Sequence, residues 1–205
     1  ETKGRRSKRR SVFIDGEAAF EVEAGTVVAL GLEPGLTVDL AQVRTAIEDE
    51  EYKRAKDMAL NFLSYRSRTR KQMTDYLTRK GYGENIAARV LEKLQQLDLV
   101  DDRKFAFERV SRGIEHEGSG PLKLRQDLWR QGVDRRLADA CLTEAMAGRR
   151  EEDYALETAR DRLSRMAGLP AREAWHRLYG FLARRGYSPD SISSALGKLL
   201  GEIDE

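Results

Sequence analysis

An internal repeat is the feature that most constrains how this chain folds. Three segments each place a leucine four residues before a glycine, with an apolar residue four positions before the leucine and an apolar or aromatic residue after the glycine. The leucine–glycine pairs are Leu77 and Gly81, Leu128 and Gly132, and Leu182 and Gly186. Self-similarity at a nearly constant spacing predicts tandem copies of one supersecondary unit.

Each copy has the pattern of two helices joined at the glycine. Apolar residues at positions i and i+4 predict one buried helical stripe, and a glycine in the left-handed conformation commonly follows the end of a helix. The next helix is expected a few residues later, capped by Asp134 in the second copy and by Ser188 in the third. Its apolar positions correspond as well, because Leu91, Leu142 and Leu196 each lie ten residues after their glycine.

A further amphipathic helix precedes each pair. Its apolar stripe lies within residues 52–63 in the first copy, within 105–110 after an N-cap at Asp102 in the second, and within 154–166 in the third. With 40% hydrophobic and 35% charged residues, small bundles in an elongated body are favoured over one large core. The predicted fold class is mainly α, with three tandem three-helix repeats.

The first part of the chain differs from the repeats. Residues 11–22 contain two apolar runs around Asp15 and Gly16, which predicts a β-hairpin with a two-residue turn. Residues 36–38 could add a short third strand, and Asp39 then caps a helix. The predicted segments are a basic disordered tail (1–10), a hairpin extension with linker (11–44), and helical repeats at 45–100, 101–150 and 151–205.

Positive charge is concentrated although the net charge is only +2. Between residues 52 and 80, nine Lys or Arg residues face two aspartates, and such a local field attracts polyanions or an acidic protein surface. The candidate partner-binding or DNA-binding residues share this charge and lie in the first two repeats. They are Arg66, Arg68, Arg70, Lys71, Arg79, Lys80, Lys123, Arg125 and Arg130.

The cluster from Arg66 to Lys71 favours binding over a solvated turn, because a turn does not need four mutually repelling cations. On a helix that starts at Ser67, Arg70 and Lys71 share a face, whereas Arg66 and Arg68 lie beside free backbone N–H groups. This geometry suits a phosphate or a carboxylate. The second basic stretch, which continues to Arg135 and Arg136, and the N-terminal tail fit binding and solvation equally well.

Three tyrosines, Tyr65, Tyr76 and Tyr82, alternate with the cations of the first repeat. Aromatic side chains beside basic residues can stack on nucleic-acid bases. Packing between helices is the favoured interpretation at these spacings.

Catalytic chemistry finds little support in the residues. His116 and His176 belong to no metal-ligand or triad pattern, and the segment from Gly118 to Lys123 lacks the Gly-Lys-Ser/Thr ending of a phosphate loop. The acidic run at 48–51 could chelate magnesium, but it also suits a helix start. We therefore expect no enzyme activity, no cofactor and no metal.

The lone Cys141 falls in an apolar helical register, so we expect it to be buried. It cannot form an internal disulfide, which favours a reducing cytoplasm. No apolar run is long enough for a membrane span or a secretory signal. A monomer is expected.

Three motifs resemble those of the RecX family. Residues 63–82, with Tyr65, Arg66, Arg68, Arg70 and Lys71 followed by the stretch from Tyr76 to Tyr82, resemble its main signature. Residues 99–106 resemble its second motif and residues 118–133 its third. Gln131 stands where the family often has Lys, beside the bulky Trp129. The resemblance covers roughly residues 50–200.

The resemblance implies consecutive three-helix repeats in a curved, extended shape. It also implies a regulator of homologous recombination and DNA repair that binds the RecA filament, suppresses its ATPase, strand-exchange and co-protease activities and so bears on the SOS response, with weak DNA binding. A stand-alone helical DNA-binding module is the alternative, because helix–turn–helix-like units with basic turns also fit DNA. Repeated modules favour the regulator, since they match a partner that itself repeats along an axis.

Overall fold

The computed structural model describes residues 9–201 apart from residues 38, 147 and 167. It opens with an antiparallel hairpin of β1 (Arg9–Ile14) and β2 (Glu17–Glu23), whose register is irregular between Val12 and Phe13. Asp15 and Gly16 form the turn with φ values of 51° and 85°. Two successive positive φ values characterise the hairpin turn that matches strand twist, so the predicted hairpin is confirmed.

The hairpin is followed by a short helix that the sequence pattern did not predict, α1 (Ala24–Ala29). This helix contacts both strands, and the chain after it forms no strand at Leu36 or Thr37. The predicted third strand is therefore wrong for these two residues, and Val38 lies outside the described residues. Most of the predicted disordered tail, residues 1–8, lies outside them too, whereas Arg9 and Arg10 begin β1.

Repeat 1 consists of α2 (Leu40–Leu63), α3 (Arg70–Arg79) and α4 (Glu84–Gln96). The predicted cap Asp39 is confirmed, because its carboxylate accepts the Ala41 N–H at 2.8 Å. The helix then continues for 24 residues, without a new start near residue 48. The reason is local, since no proline or glycine interrupts residues 40–63. Its Ala55 and Ala59 pack against α3 and α4.

Repeat 2 consists of α5 (Asp102–Glu115), α6 (Pro121–Arg130) and α7 (Arg135–Ala145). The cap of α5 is Asp101, which accepts the N–H groups of Arg103 and Lys104, so the prediction of Asp102 was wrong by one residue. Cys141 is fully buried as predicted, and its thiol donates to the Arg103 carbonyl at 3.8 Å. Burial raises the pKa of this thiol, which keeps it protonated and unreactive.

Repeat 3 consists of α8 (Glu151–Leu163), α9 (Ala171–Arg185) and α10 (Pro189–Leu200). Ser188 caps α10 as predicted, with Pro189 in the first turn. The Glu151 carboxylate of α8 also accepts the Ser188 N–H at 2.6 Å, which ties the first helix of the repeat to the last.

The three repeat glycines end their helices in the same way. Gly81, Gly132 and Gly186 have φ values of 92°, 87° and 85°. In each repeat the residue after the glycine donates its N–H to the carbonyl of the leucine five residues earlier, over 3.2, 3.0 and 3.2 Å respectively. This is the Schellman motif, and its apolar contact joins that leucine to the residue after the glycine. The predicted helix–glycine–helix pattern is confirmed.

The chain divides into two compact units, Glu1–Val100 and Asp101–Glu205. The first contains the hairpin and repeat 1, and the second contains repeats 2 and 3. Each repeat has its own core, formed around Leu77, Leu128 and Leu182, all fully buried. The predicted mainly helical fold with three-helix repeats is confirmed, whereas the predicted segment limits stay predictions.

Candidate functional site

The turn between α2 and α3 positions the first group of candidate residues. Thr69 caps α3, accepting the Gln72 N–H at 3.1 Å, while the Gln72 side chain accepts the Thr69 N–H at 3.4 Å. This reciprocal capping box fixes Arg70 as the first helical residue. The predicted start at Ser67 is wrong, and Arg66 and Arg68 lie in the loop before the helix.

Arg68 is held against aromatic side chains and is only partly exposed. Its guanidinium carbon lies 3.8 Å from the centroid of the Phe62 ring, and Phe62 stacks on Tyr76 at 4.0 Å. Desolvation, with a smaller contribution from Arg66, lowers the pKa of Arg68. Arg68 is therefore a packing residue that joins α2 to the turn.

The other five candidates of the first repeat are exposed, and we call them the repeat 1 basic surface: Arg66, Arg70, Lys71, Arg79 and Lys80. Lys71 pairs with Asp75 at 2.8 Å, and the Arg79 Nε donates to the Asp75 carbonyl at 3.1 Å. Cations thus lie at both ends of α3, which is about 15 Å long at 1.5 Å per residue.

The three tyrosines of this region have different environments. Tyr76 stacks on Phe62, and Tyr82 is buried in the core of the repeat, so the favoured packing interpretation is confirmed for both. Tyr65 is 84% exposed beside Arg66, and for this residue the packing interpretation is wrong. The loop conformation before α3 explains the difference, because Tyr65 follows the last turn of α2.

The three candidates of the second repeat lie on α6, in the other compact unit. Each has a polar partner nearby. Lys123 reaches the Ser119 hydroxyl at 3.3 Å, Arg125 pairs with Asp139 at 2.5 Å, and Arg130 lies 3.9 Å from Asp127. Arg125 and Arg130 are exposed and Lys123 is half-buried.

Sequence reasoning missed the ionic network of Arg109. Its guanidinium forms two hydrogen bonds to the Glu117 carboxylate, at 3.2 and 3.1 Å, and a third to Asp127 at 3.2 Å. Arg109 occupies a position in the apolar register of α5, and nothing in that register signals an ion pair. The bidentate geometry holds the loop before α6 against α5.

That loop joins repeat 2 to repeat 3 through main-chain bonds, which we call the inter-repeat seam (residues 117–123 and 185–186). The Gly120 N–H donates to the Arg185 carbonyl at 2.8 Å, and the Leu122 N–H donates to the Gly186 carbonyl at 3.0 Å. The Arg185 guanidinium also donates to the Glu117 carbonyl. Unpaired donors at the start of α6 thus satisfy unpaired acceptors at the end of α9.

Two glycines make this close approach possible. A Cβ on Gly120 would lie 2.4 Å from the Gly186 carbonyl oxygen, and a Cβ on Gly186 would lie 2.4 Å from the Lys123 nitrogen. Both distances are far below van der Waals contact, and the obstructing atoms belong to the main chain. The seam therefore requires glycine at both positions.

Within the described ranges, no group of three His, Cys, Asp or Glu side chains is placed to hold a metal ion. Of the helices in this part of the chain, none is both long and apolar enough to cross a membrane.

Successive three-helix units, each with its own core and two of them joined by a main-chain seam, define a helical-repeat protein. The family models agree with this division. The RecX first three-helix domain matches residues 55–94, the second matches 101–142, and the third matches 150–196. The chain belongs to the RecX family.

Relatives along the whole chain support this assignment. The regulatory protein RecX of Bacillus subtilis (strain 168) is 30% identical over 207 residues, which cover 100% of this chain and 77% of the relative. That of Clostridium acetobutylicum is 29% identical over 208 residues, covering 98% of this chain and 95% of the relative. These relatives are regulatory proteins.

Solved structures share the fold. The crystal structure of RecX from Lactobacillus salivarius superimposes with a TM-score of 0.64 at 24% identity, covering 74% of this chain and 97% of that chain. A second crystal structure of a regulatory protein RecX gives a TM-score of 0.63 at 24% identity, with 94% of each chain covered.

Proposed function

We propose that this protein is a non-catalytic regulator of homologous recombination and DNA repair. It binds the RecA filament and inhibits the ATPase, strand-exchange and co-protease activities of that filament, and it acts as a cytoplasmic monomer. The observation that carries the proposal is the succession of three RecX three-helix domains along one chain. Successive modules offer repeated contacts to a partner whose subunits repeat along an axis.

The repeat 1 basic surface supports the proposal electrostatically. Its five exposed cations stand around α3, with Asp75 as the carboxylate paired to Lys71. A filament assembled on DNA presents phosphates and carboxylates together, and both attract such a surface. Arg68 contributes to this surface mainly by supporting the turn that carries Arg66 and Arg70.

The proposal is tested with a RecA–ssDNA ATPase assay in which the filament is intact. We expect the purified protein to lower turnover at ratios up to equimolar. A triple variant with glutamine at Arg66, Arg70 and Lys71 should inhibit less. Its matched control carries glutamine at three other exposed cations of the same unit, Arg44, Lys53 and Lys93. Unchanged ATP turnover in the presence of the wild-type protein would contradict the regulatory proposal.

A stand-alone DNA-binding module is the second candidate, favoured by the exposed Tyr65 beside the cations. Co-sedimentation with RecA–ssDNA filaments, compared with naked ssDNA, separates the two functions. A regulator of the filament sediments more strongly with the filament. Equal or stronger sedimentation with naked ssDNA would favour the DNA-binding module.

A further inference from the structure

A concave groove of about 640 Å³ lies in the second compact unit, where α6, α7 and the C-terminal end of α9 meet. Its apolar lining includes Leu122 and Trp129 from α6, Ala138 from α7 and Ala183 from α9. A cavity of this size, formed by several elements, accommodates one or two side chains of a ligand.

The wall of the groove that α6 forms carries exposed apolar side chains that do not belong to the buried core. Leu124 and Leu128 form the buried stripe of this helix. Leu122 and Trp129, seven residues apart and therefore on one face, are instead 49% and 59% exposed. Large apolar side chains grouped beside a concavity are typical of binding surfaces.

The rim of the groove is strongly basic. Lys123, Arg125, Arg135 and Arg184 line it together with one carboxylate, Asp139. Arg125 pairs with that carboxylate, so the remaining cations give the rim a positive field. The Arg135 guanidinium carbon lies 5.9 Å from the centroid of the Trp129 ring, which places a cation next to the apolar wall.

The seam fixes the shape of this groove. The Leu122 N–H bonds to the Gly186 carbonyl, and both residues line the concavity. The two walls are therefore joined by a main-chain hydrogen bond at the place where they meet. A groove whose walls are already in position has less conformational entropy to lose when a ligand binds.

We propose that this groove docks an acidic peptide segment of a partner protein, anchored by one apolar side chain. The anchor lies against Leu122 and Trp129, and flanking carboxylates pair with Arg135 and Arg184. Gln126 is the uncharged amide of the lining, and a peptide fits better than a nucleobase because Leu122, Ala138 and Ala183 offer contact to an apolar side chain and would leave the polar edge of a base against apolar surface. The inference deepens the proposed function by giving the chemistry of the partner segment, and it rests on that function only for the partner's identity.

The first experiment measures binding by fluorescence anisotropy with the full chain. The probe is a short fluorescein-labelled peptide in which glutamates flank a Leu-Phe pair. We expect it to bind more tightly than an all-glutamate peptide of the same length, a Leu-Phe peptide flanked by lysines, and oligo-dT. Equal binding of the all-glutamate peptide overturns the anchor. Oligo-dT binding that is tighter than peptide binding and is weakened by the groove variants below overturns the peptide and assigns the groove to single-stranded nucleic acid.

Variants place the binding in the groove. Trp129→Ala and the pair Arg135→Glu with Arg184→Glu should each weaken peptide binding about tenfold, the usual effect of removing an anchor or a charge pair at an interface. The matched control reverses two exposed arginines outside the groove, Arg160→Glu with Arg172→Glu, and should bind normally. Circular dichroism confirms that each variant is folded. Undiminished binding by the groove variants overturns the proposal.

A fluorescence reading follows the anchor itself. In a Trp175→Phe background Trp129 is the remaining tryptophan, and its emission should shift to the blue when the peptide covers it. No shift in Trp129 emission at saturating peptide contradicts the docking site.

The same variants also separate the two proposals in the ATPase assay. If Trp129→Ala inhibits the filament ATPase as strongly as wild type does, the groove proposal is contradicted and the regulatory function is not. If the groove binds the peptide but the wild-type protein does not inhibit the filament ATPase, the regulatory function is contradicted and the groove proposal is not.

Discussion

Gly186 shares its left-handed conformation with the other repeat glycines and has a second constraint of its own. An alanine at a left-handed glycine costs about 1 kcal/mol because its Cβ crowds the main chain. At Gly186 the Cβ would in addition meet Lys123 across the seam. Gly168 provides the matched control, because its φ is 79° and no atom of the described residues lies within 4 Å of an ideal Cβ there.

We therefore predict that Gly186→Ala lowers the free energy of unfolding by clearly more than the roughly 1 kcal/mol of Gly168→Ala. Urea denaturation followed by circular dichroism measures both. Equal losses of stability for the two variants would show that the seam accommodates the added Cβ at Gly186 without further destabilisation.

Arg68 and Arg66 are a natural pair for separating packing from surface charge. Arg68 lies over Phe62 at 3.8 Å, whereas Arg66 is exposed in the same loop. A cation–π contact contributes up to about 2 kcal/mol when desolvated. The buried Nε of Arg68, which has no hydrogen-bond partner in the described structure, offsets part of that gain.

Arg68→Ala should accordingly destabilise the protein by about 1 kcal/mol, and Arg66→Ala should change stability by less than about 0.5 kcal/mol. Thermal melts of the two variants, run side by side with wild type, check this. A melting temperature that falls equally in both would contradict the assignment of Arg68 as a packing residue.

The comparison of Arg68 with the repeat glycines shows what the sequence could predict at this scale. The glycine caps follow from local chemistry, since the Leu-x-x-x-Gly-apolar pattern contains all of the residues that form the motif. Arg68 lies in a loop, and its position depends on Phe62 of α2 and on Tyr76 of α3, which stacks on Phe62. A run of cations in sequence therefore predicts a charged region, but not which cation turns inward.

At the scale of single elements, the charge of α3 can be tested through the salt dependence of DNA binding. Under the proposed function the exposed cations of α3 contact DNA phosphates, and such contacts increase affinity by releasing counterions. Replacing Arg70 and Lys71 with glutamine should flatten the plot of log binding constant against log salt, by about 0.7 for each single-strand phosphate that the variant no longer neutralises. Titrations of ssDNA at several salt concentrations measure the slope. A slope identical to wild type would exclude these two residues from phosphate binding.

The start of a helix could be predicted where a single capping side chain directly preceded an apolar helical register, and it was less predictable elsewhere. Asp134 and Ser188 were identified because a capping side chain preceded an apolar register. The start of α3 was misplaced because Ser67 and Thr69 are both acceptable caps, and the Gln72 side chain decides for Thr69. The helix α1 follows β2 directly, and its six residues are too few for a periodic pattern.

At the scale of the whole molecule, repeats 2 and 3 belong to one compact unit. We predict that a fragment of residues 101–205 keeps its helicity and unfolds in a single transition. A fragment of residues 151–205 should be less stable by about 2 kcal/mol, because it lacks the two main-chain bonds of the seam at about 1 kcal/mol each. Chemical denaturation of both fragments tests this. Two separate transitions in the longer fragment would mean that the repeats unfold independently.

The candidate site was predictable only as a distribution of charge. The basic run of repeat 1 is continuous in sequence and could be identified directly. The groove of the second unit combines Trp129 with Arg184, which are 55 residues apart, and no local pattern connects them. They come together through the seam, whose bonds all end on main-chain acceptors and, apart from two glycines and the Arg185 donor, leave no signature in sequence.

That property of the seam affects how proteins built in this way can diverge. Main-chain donors and acceptors are the same for nearly every amino acid, so the joint between the repeats restricts mainly the glycines at 120 and 186 and the Arg185 side chain that donates to the Glu117 carbonyl. Leu122, Trp129, Arg135 and Arg184 are then free to be exchanged while the backbone that carries them stays in place. Ligand preference and architecture can therefore evolve separately, and a new partner could be accommodated by changing the lining alone.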